Sequence, residues 1–251
     1  MFHEQGRTIS ASNRPRRVAP RRPDGPGLVQ YQPFVELSSW RRLGAEAIER
    51  NFHDGGTRRR HSRDDTVLRL ACVEAVEWDS GTVAVNISSS QLRGGMLLAQ
   101  IGAALEHSGL AAERLELEIG ETILTEIDLD TMLTLSLVRD LGVGVVLDEF
   151  GTGLASLRML KRLPLTGLKL DVSLVREVPG NPEDAAIART VIAAAHALGL
   201  NVLAAGIESE SQLAALAGYG CDAGQGPLFA DAPREAPRPG HGLAGTATGR
   251  R

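Results

Sequence analysis

Hydrophobic and polar positions fall in blocks along this chain. Short apolar runs close on a polar side chain, and segments with apolar residues at helical spacing separate them. The runs cover 29–37, 42–48, 82–87, 114–119, 142–148, 167–171, 201–207 and 221–226; the helical segments cover 66–78, 89–108, 121–140, 154–163, 183–198 and 209–218. Runs such as GVGVVLD at 142–148 are apolar without alternation, which predicts strands covered on both faces and hence a parallel sheet. Gly142, Gly199 and Gly220 each follow a helical segment, where glycine takes the left-handed cap without a Cβ clash. Alternating βα units over this length predict a doubly wound sheet or a (β/α)8 barrel.

The pattern fades at both ends. Residues 1–26 and 233–251 are rich in Arg, Pro, Gly and Ala without periodicity and are expected to be disordered tails around a domain at 27–232. A net charge of −4 argues against a nucleic-acid partner. Local arginine clusters at 14–23 and 58–63 read as a solvated tail and a solvated loop. Cys72 and Cys221 stand far apart in apolar surroundings, as buried free thiols of a reducing compartment would, so a cytoplasmic location is expected. No apolar run is long enough to span a membrane.

The chemistry gathers where the runs end. Glu46, Asn86, Glu118, Asp148 with Glu149, Lys169, Glu208 and Gln225 close seven runs in succession. In a barrel those ends share the face on which active sites form. Oxygen donors of this kind suit Mg²⁺ or Mn²⁺, and carboxylates so crowded repel one another without a cation. The stretch VVLDEFGTG at 145–153 poses the alternatives: an acidic pair that binds metal, a glycine loop that cradles phosphate, or a plain strand end. No GK[ST] follows the glycines, which sets the phosphate loop aside.

These segments resemble the EAL domain, the bacterial module that opens cyclic di-GMP to linear pGpG. DEFGTGLASLRMLKRLPLTGLKLD (148–171) resembles the family's DDFGTGYSSLxxLKxLPxDxLKID, AVNISSSQL (84–92) its VNLSxxQL, and LELEIGET (115–122) its LELTES-like text. AAGIESESQL (204–213) resembles AEGVETxxQ, GCDAGQGPLF (220–229) resembles GCDxxQGYLF, YQPFVEL (31–37) resembles YQPIVDL, and AEAIER (45–50) stands where EALxR is expected. The resemblance implies a single TIM-like (β/α)8 barrel with one helix of the early wall missing, because only the polar stretch 51–65 precedes the helix at 66–78. It implies that Glu46, Asn86, Glu118 and Asp148 hold a first Mg²⁺ or Mn²⁺, with Asp148 and Glu149 on a second. Lys169 would orient the attacking water and Glu208 would support the site. Gln32, Arg50 and Gln225 would contact the nucleotide. The partners implied are cyclic di-GMP, a protein partner and a second copy in a homodimer.

The departures lie at the chemistry. Ala205 stands where the family has a glutamate serving the second metal and proton transfer, and a methyl group does neither. Glu149 replaces an aspartate and carries its carboxylate one methylene further out. Gly120 replaces a threonine, Ile48 a leucine, Pro227 a tyrosine and Val172 an arginine. The resemblance with these departures implies a domain that binds cyclic di-GMP or a protein partner with impaired hydrolysis; a weakly active phosphodiesterase is the alternative.

Overall fold

The computed structural model describes residues 29–49, 61–125, 127–151 and 157–229. Within it the strands are β1 (Val29–Glu36), β2 (Arg42–Glu49), β3 (Thr82–Ile87), β4 (Leu115–Gly120), β5 (Gly144–Phe150), β6 (Gly167–Leu170), β7 (Asn201–Ala204) and β8 (Ala223–Gln225). The helices are α1 (His61–Val76), α2 (Ser89–Arg93), α3 (Leu97–Ser108), α4 (Leu129–Asp140), α5 (Leu157–Leu160), α6 (Val172–Glu177), α7 (Pro182–Ala197) and α8 (Glu210–Gly218). The strands close into one barrel in chain order. The expected (β/α)8 class is therefore the architecture, and the doubly wound alternative is excluded.

One strand runs against the rest. β1 pairs antiparallel with both β2 and β8, while all other neighbours are parallel. The reason is the length of the link. A parallel crossover needs a dozen residues or more, whereas residues 37–41 allow only a hairpin. Between β2 and β3 the described wall is α1, which begins at His61 rather than at 66. Residues 50–60, and with them most of the stretch expected to lack a helix, lie outside the described residues, as do both tails.

Other boundaries shift for local reasons. The helix expected over 89–108 is two helices, because Gly94 caps the first and Gly95 takes φ 69°. The segment 121–140 starts as a 3₁₀ turn at Glu121–Thr125, and α4 begins only where the Asp128 side chain accepts a hydrogen bond from Thr131 N–H. α6 was not foreseen; Asp171 caps it by accepting from Ser173 N–H.

Strand period two decides what faces where. Val83, Val85, Leu115, Leu117, Ile119, Val145, Leu147, Leu168 and Leu170 face outward under the helices and are almost fully buried. The alternate positions, among them Glu46, Glu118 and Lys169, face the barrel interior. The chain that follows β7 is pinned to the end of β8: Ile207 N–H donates to Gln225 O, and Leu228 N–H donates to Ile207 O. Gly226 at φ 153° makes that crossing, and a Cβ there would fall 2.4 Å from both Ile207 N and Ile207 O. Gly226→Ala is expected to destabilise the domain by on the order of 3 kcal/mol. Urea unfolding measures it, and an unchanged midpoint contradicts it.

Candidate active site

The inward carboxylates of neighbouring strands meet around one ammonium. Registers pair Glu46 with Ala84, Asn86 with Glu118, and Lys169 with Leu203, so these side chains project from adjacent strands toward the same end. Lys169 Nζ lies 2.8 Å from Glu46 Oε2, 3.0 and 3.2 Å from the two Glu118 oxygens, and 3.3 Å from Asp148 Oδ2. The group is dry: Lys169 is 4% exposed, Glu118 3% and Glu46 9%.

Glu46 is the best-held member. Besides Lys169 it accepts from Asn86 Nδ2 at 2.7 Å and from Gln225 Nε2 at 2.9 Å. Burial alone would raise its pKa, but the Lys169 ammonium and these donors keep it below the usual carboxylate value. Glu118 goes the other way. Burial, reinforced by the Glu46 and Asp148 charges, outweighs Lys169 and pushes it up to about 8. Lys169 is held above its ordinary value: burial works against its charge, but Glu118, Glu46 and Asp148 overcome that. Asp148 turns its second oxygen to the backbone, accepting from Glu149 N–H at 2.7 Å. Glu149 itself takes φ 60°, a left-handed conformation uncommon for a residue with a Cβ. Gly120 lies beside it: a Cβ there would stand 3.5 Å from Glu149 Oε2.

Above the cage opens a cleft of about 200 Å³. Gln32 reaches it because antiparallel β1 sets it directly opposite Glu46. Asp148, Glu149 and Gln225 line it too. Asn86 touches Glu46 but stands on an exposed shoulder outside this lining. Glu208 is not brought in. β7 ends at Ala204, the chain turns at Gly206 with φ 75°, and the Glu208 backbone N–H binds Gln212 Oε1 at the start of α8. The Glu208 side chain is exposed. The wall there is made by Ala205, Gly206 and Val172, which leave an apolar flank facing the acidic one. Arg50 lies outside the described residues. Asp171 also lines the cleft; it follows directly on β6, two residues beyond Lys169, where the strand-end rule extended past the strand finds it.

The donors suit a hard divalent cation, since all are carboxylate or amide oxygens. Their convergence on the Lys169 ammonium shows a cluster built around positive charge. As the side chains stand, no three acidic or imidazole groups among the described residues close on a common ion position, because the ammonium takes the centre. A cation held by Glu46, Glu118 and Asp148 would take the place of the Lys169 ammonium and would need the Glu118 carboxyl, raised to about 8, in its deprotonated form. Its affinity is expected to rise about tenfold per pH unit from pH 6 to 8 and to level off above, since ligand carboxylates bind metal only when deprotonated. Mn²⁺ titration across that range checks this; a flat profile contradicts it.

Comparison with known proteins agrees with the geometry. Residues 24–232 match the EAL domain. The chain is 42% identical over 172 residues to the cyclic di-GMP phosphodiesterase NbdA of Pseudomonas aeruginosa, covering 66% of this chain and 22% of that one. The PaMucR phosphodiesterase, solved as a c-di-GMP complex, superposes with a TM-score of 0.73 at 29% identity, covering 83% of this chain and 91% of that one. Klebsiella pneumoniae BlrP1, solved with calcium and cyclic di-GMP, gives 0.71 at 25% identity over 84% and 57%. The chain spans 20 to 37% of the length of the first curated relatives it matches. No helix among the described residues is long and apolar enough to cross a membrane.

Proposed function

This chain belongs to the EAL domain family, and we propose from that premise that it binds cyclic di-GMP through divalent cations and hydrolyses it poorly or not at all. One observation carries the reading: the cleft has an intact acidic half and an apolar half. Glu46, Glu118 and Asp148 meet on Lys169 with Asn86 bound to Glu46, which supports a first-cation set, whereas Ala205 and Val172 leave the facing flank without a carboxylate at 205.

The cleft also explains why a cation is needed for binding. Glu46, Asp148, Glu149 and Asp171 outnumber Lys169, so an anionic phosphodiester meets net negative charge unless Mg²⁺ or Mn²⁺ offsets it. Such an ion, when bound, acidifies a water and polarises the phosphoryl oxygen. The chain's own groups do the rest. Gln225 and Asn86 fix the Glu46 carboxylate. Lys169 lines the cleft and would offer its ammonium to an entering phosphate. Gln32 lines it too and offers its amide to a guanine edge. What the site lacks is a base at 205 to take the proton from the attacking water.

Isothermal titration with cyclic di-GMP and Mn²⁺ tests this. Binding is expected for the parent chain and at least tenfold weaker binding for Glu46→Gln, which removes a charge from the first-cation set. Absence of any binding would sink the nucleotide reading and leave a protein-docking barrel. The weakly active alternative rests on the same intact first-cation set, and product recovered after titration would favour it.

A further inference from the structure

The barrel has a second opening. Around the N-terminal ends of the parallel strands lies a cavity of about 400 Å³, against about 200 Å³ for the cleft at the other end. Interiors of (β/α)8 barrels are normally filled by layers of branched side chains. Here the inward residues at this level are small: Thr82 on β3, Gly144 on β5, Gly167 on β6 and Ala223 on β8. Gly144 has a specific consequence. A Cβ there would fall 2.7 Å from Glu116 Cγ, so glycine at 144 is what lets the Glu116 side chain into the cavity.

The lining is mixed, and one of its carboxylates lacks a partner among the described residues. Phe34, Leu43, Val146 and Leu203 form the apolar walls, and Thr82, Thr166 and Asn201 add polar groups. Three other carboxylates reach the cavity, and each has a partner. Glu36 is bound by Ser39 and Arg41, Asp222 by His196 and Val202 N–H, and Glu118 by Lys169. Glu116 has no hydrogen-bond or ion-pair partner among the described residues. Glu116 is half-buried, so its carboxylate faces the hollow with water alone to balance it, and the apolar walls give water few partners. A divalent metal is a poor candidate because one free carboxylate does not supply its oxygen shell. The volume falls in the range of small-molecule sites.

We propose that this cavity binds a small organic cation, an ammonium on a compact apolar body, with the ammonium on Glu116 and the body against Phe34, Val146 and Leu203. The occupant is separate from the nucleotide at the opposite end.

The test is calorimetric titration of the full chain with benzylammonium chloride, and with benzyl alcohol as its neutral counterpart. The parent chain is expected to bind the cation saturably and more tightly than the alcohol. Glu116→Gln is expected to weaken the cation by about tenfold, as loss of the charged partner of a bound cation does, while alcohol binding stays within about twofold. Ala223→Leu fills the volume, keeps Glu116 and is expected to abolish both. Equal affinity for cation and alcohol in the parent chain overturns the proposal, as does no binding of either. Cation binding that persists in Ala223→Leu also overturns it, because it assigns the ammonium to the acidic cleft at the other end.

Discussion

Replacing Ala205 by glutamate is expected to raise hydrolysis of cyclic di-GMP by about 10²–10⁴ over the parent chain, the usual worth of a positioned general base. The argument is positional. Residue 205 lines the cleft with Asp148 and Glu149, and its backbone is held by an Ala205 N–H to Leu170 O bond. A carboxylate there would project from a fixed point into the cleft, beside Asp148 and Glu149. Glu149 limits the gain, because its carboxylate stands a methylene further out than an aspartate's and its backbone is already in the left-handed region. An Ala205→Glu/Glu149→Asp double variant is therefore expected to exceed the single one, since displacements of this size cost on the order of 10². Single-turnover rates of parent, single and double variants measure both steps. No gain in either variant would mean that the missing carboxylate is not what limits the site.

Removing the ammonium should have the largest effect on stability. Lys169→Met leaves Glu46, Glu118 and Asp148 facing one another with no counter-charge, and two of the three are almost wholly buried. Breaking a buried charge cluster by deleting one partner costs about 3–5 kcal/mol. In a domain of this size that lowers the melting temperature by roughly 10 °C. The same variant empties the cage centre, so millimolar Mn²⁺ is expected to recover most of the loss, through a cation in place of the ammonium. The pH trend has a definite sign. Glu118 in the folded chain is pushed up to about 8, above its value when unfolded. The folded state therefore holds a proton that the unfolded state gives up, and this group's share of stability declines as pH rises from about 4.5 to about 8. Thermal unfolding of Lys169→Met with and without Mn²⁺ checks the claim; a variant as stable as the parent contradicts it.

Much of this was legible in the sequence, and the rest was not for identifiable reasons. A parallel sheet could be read because uninterrupted runs such as GVGVVLD have no solvent face; the choice of a barrel over a doubly wound sheet came from the family resemblance and not from the runs. Glu46, Glu118, Asp148, Lys169 and Gln225 come together because strand ends in a closed barrel share one rim. The reversed β1 was readable too, from a link too short for a crossover, yet the repeating βα rhythm hid it. Glu208 shows where the strand-end rule fails: β7 stops at Ala204, and four further residues carry the chain around Gly206 and out of the cleft. The cage itself was beyond reach. That Lys169 would occupy the centre of the carboxylates depends on side-chain reach across the barrel, from residues 123, 51 and 21 positions away in the chain, and no local pattern encodes that. The floor cavity was equally hidden, since it arises from small residues on four separate strands.

The most direct measurement is a single-turnover assay. Purified chain in excess over cyclic di-GMP, with Mn²⁺ or Mg²⁺, is followed by chromatography, with Glu46→Ala as the control. The account predicts nucleotide that stays bound and intact over hours. Linear pGpG that forms in the parent chain and vanishes in the control would contradict it, and would mean that the first-cation set suffices and that the missing carboxylate at 205 is supplied from elsewhere.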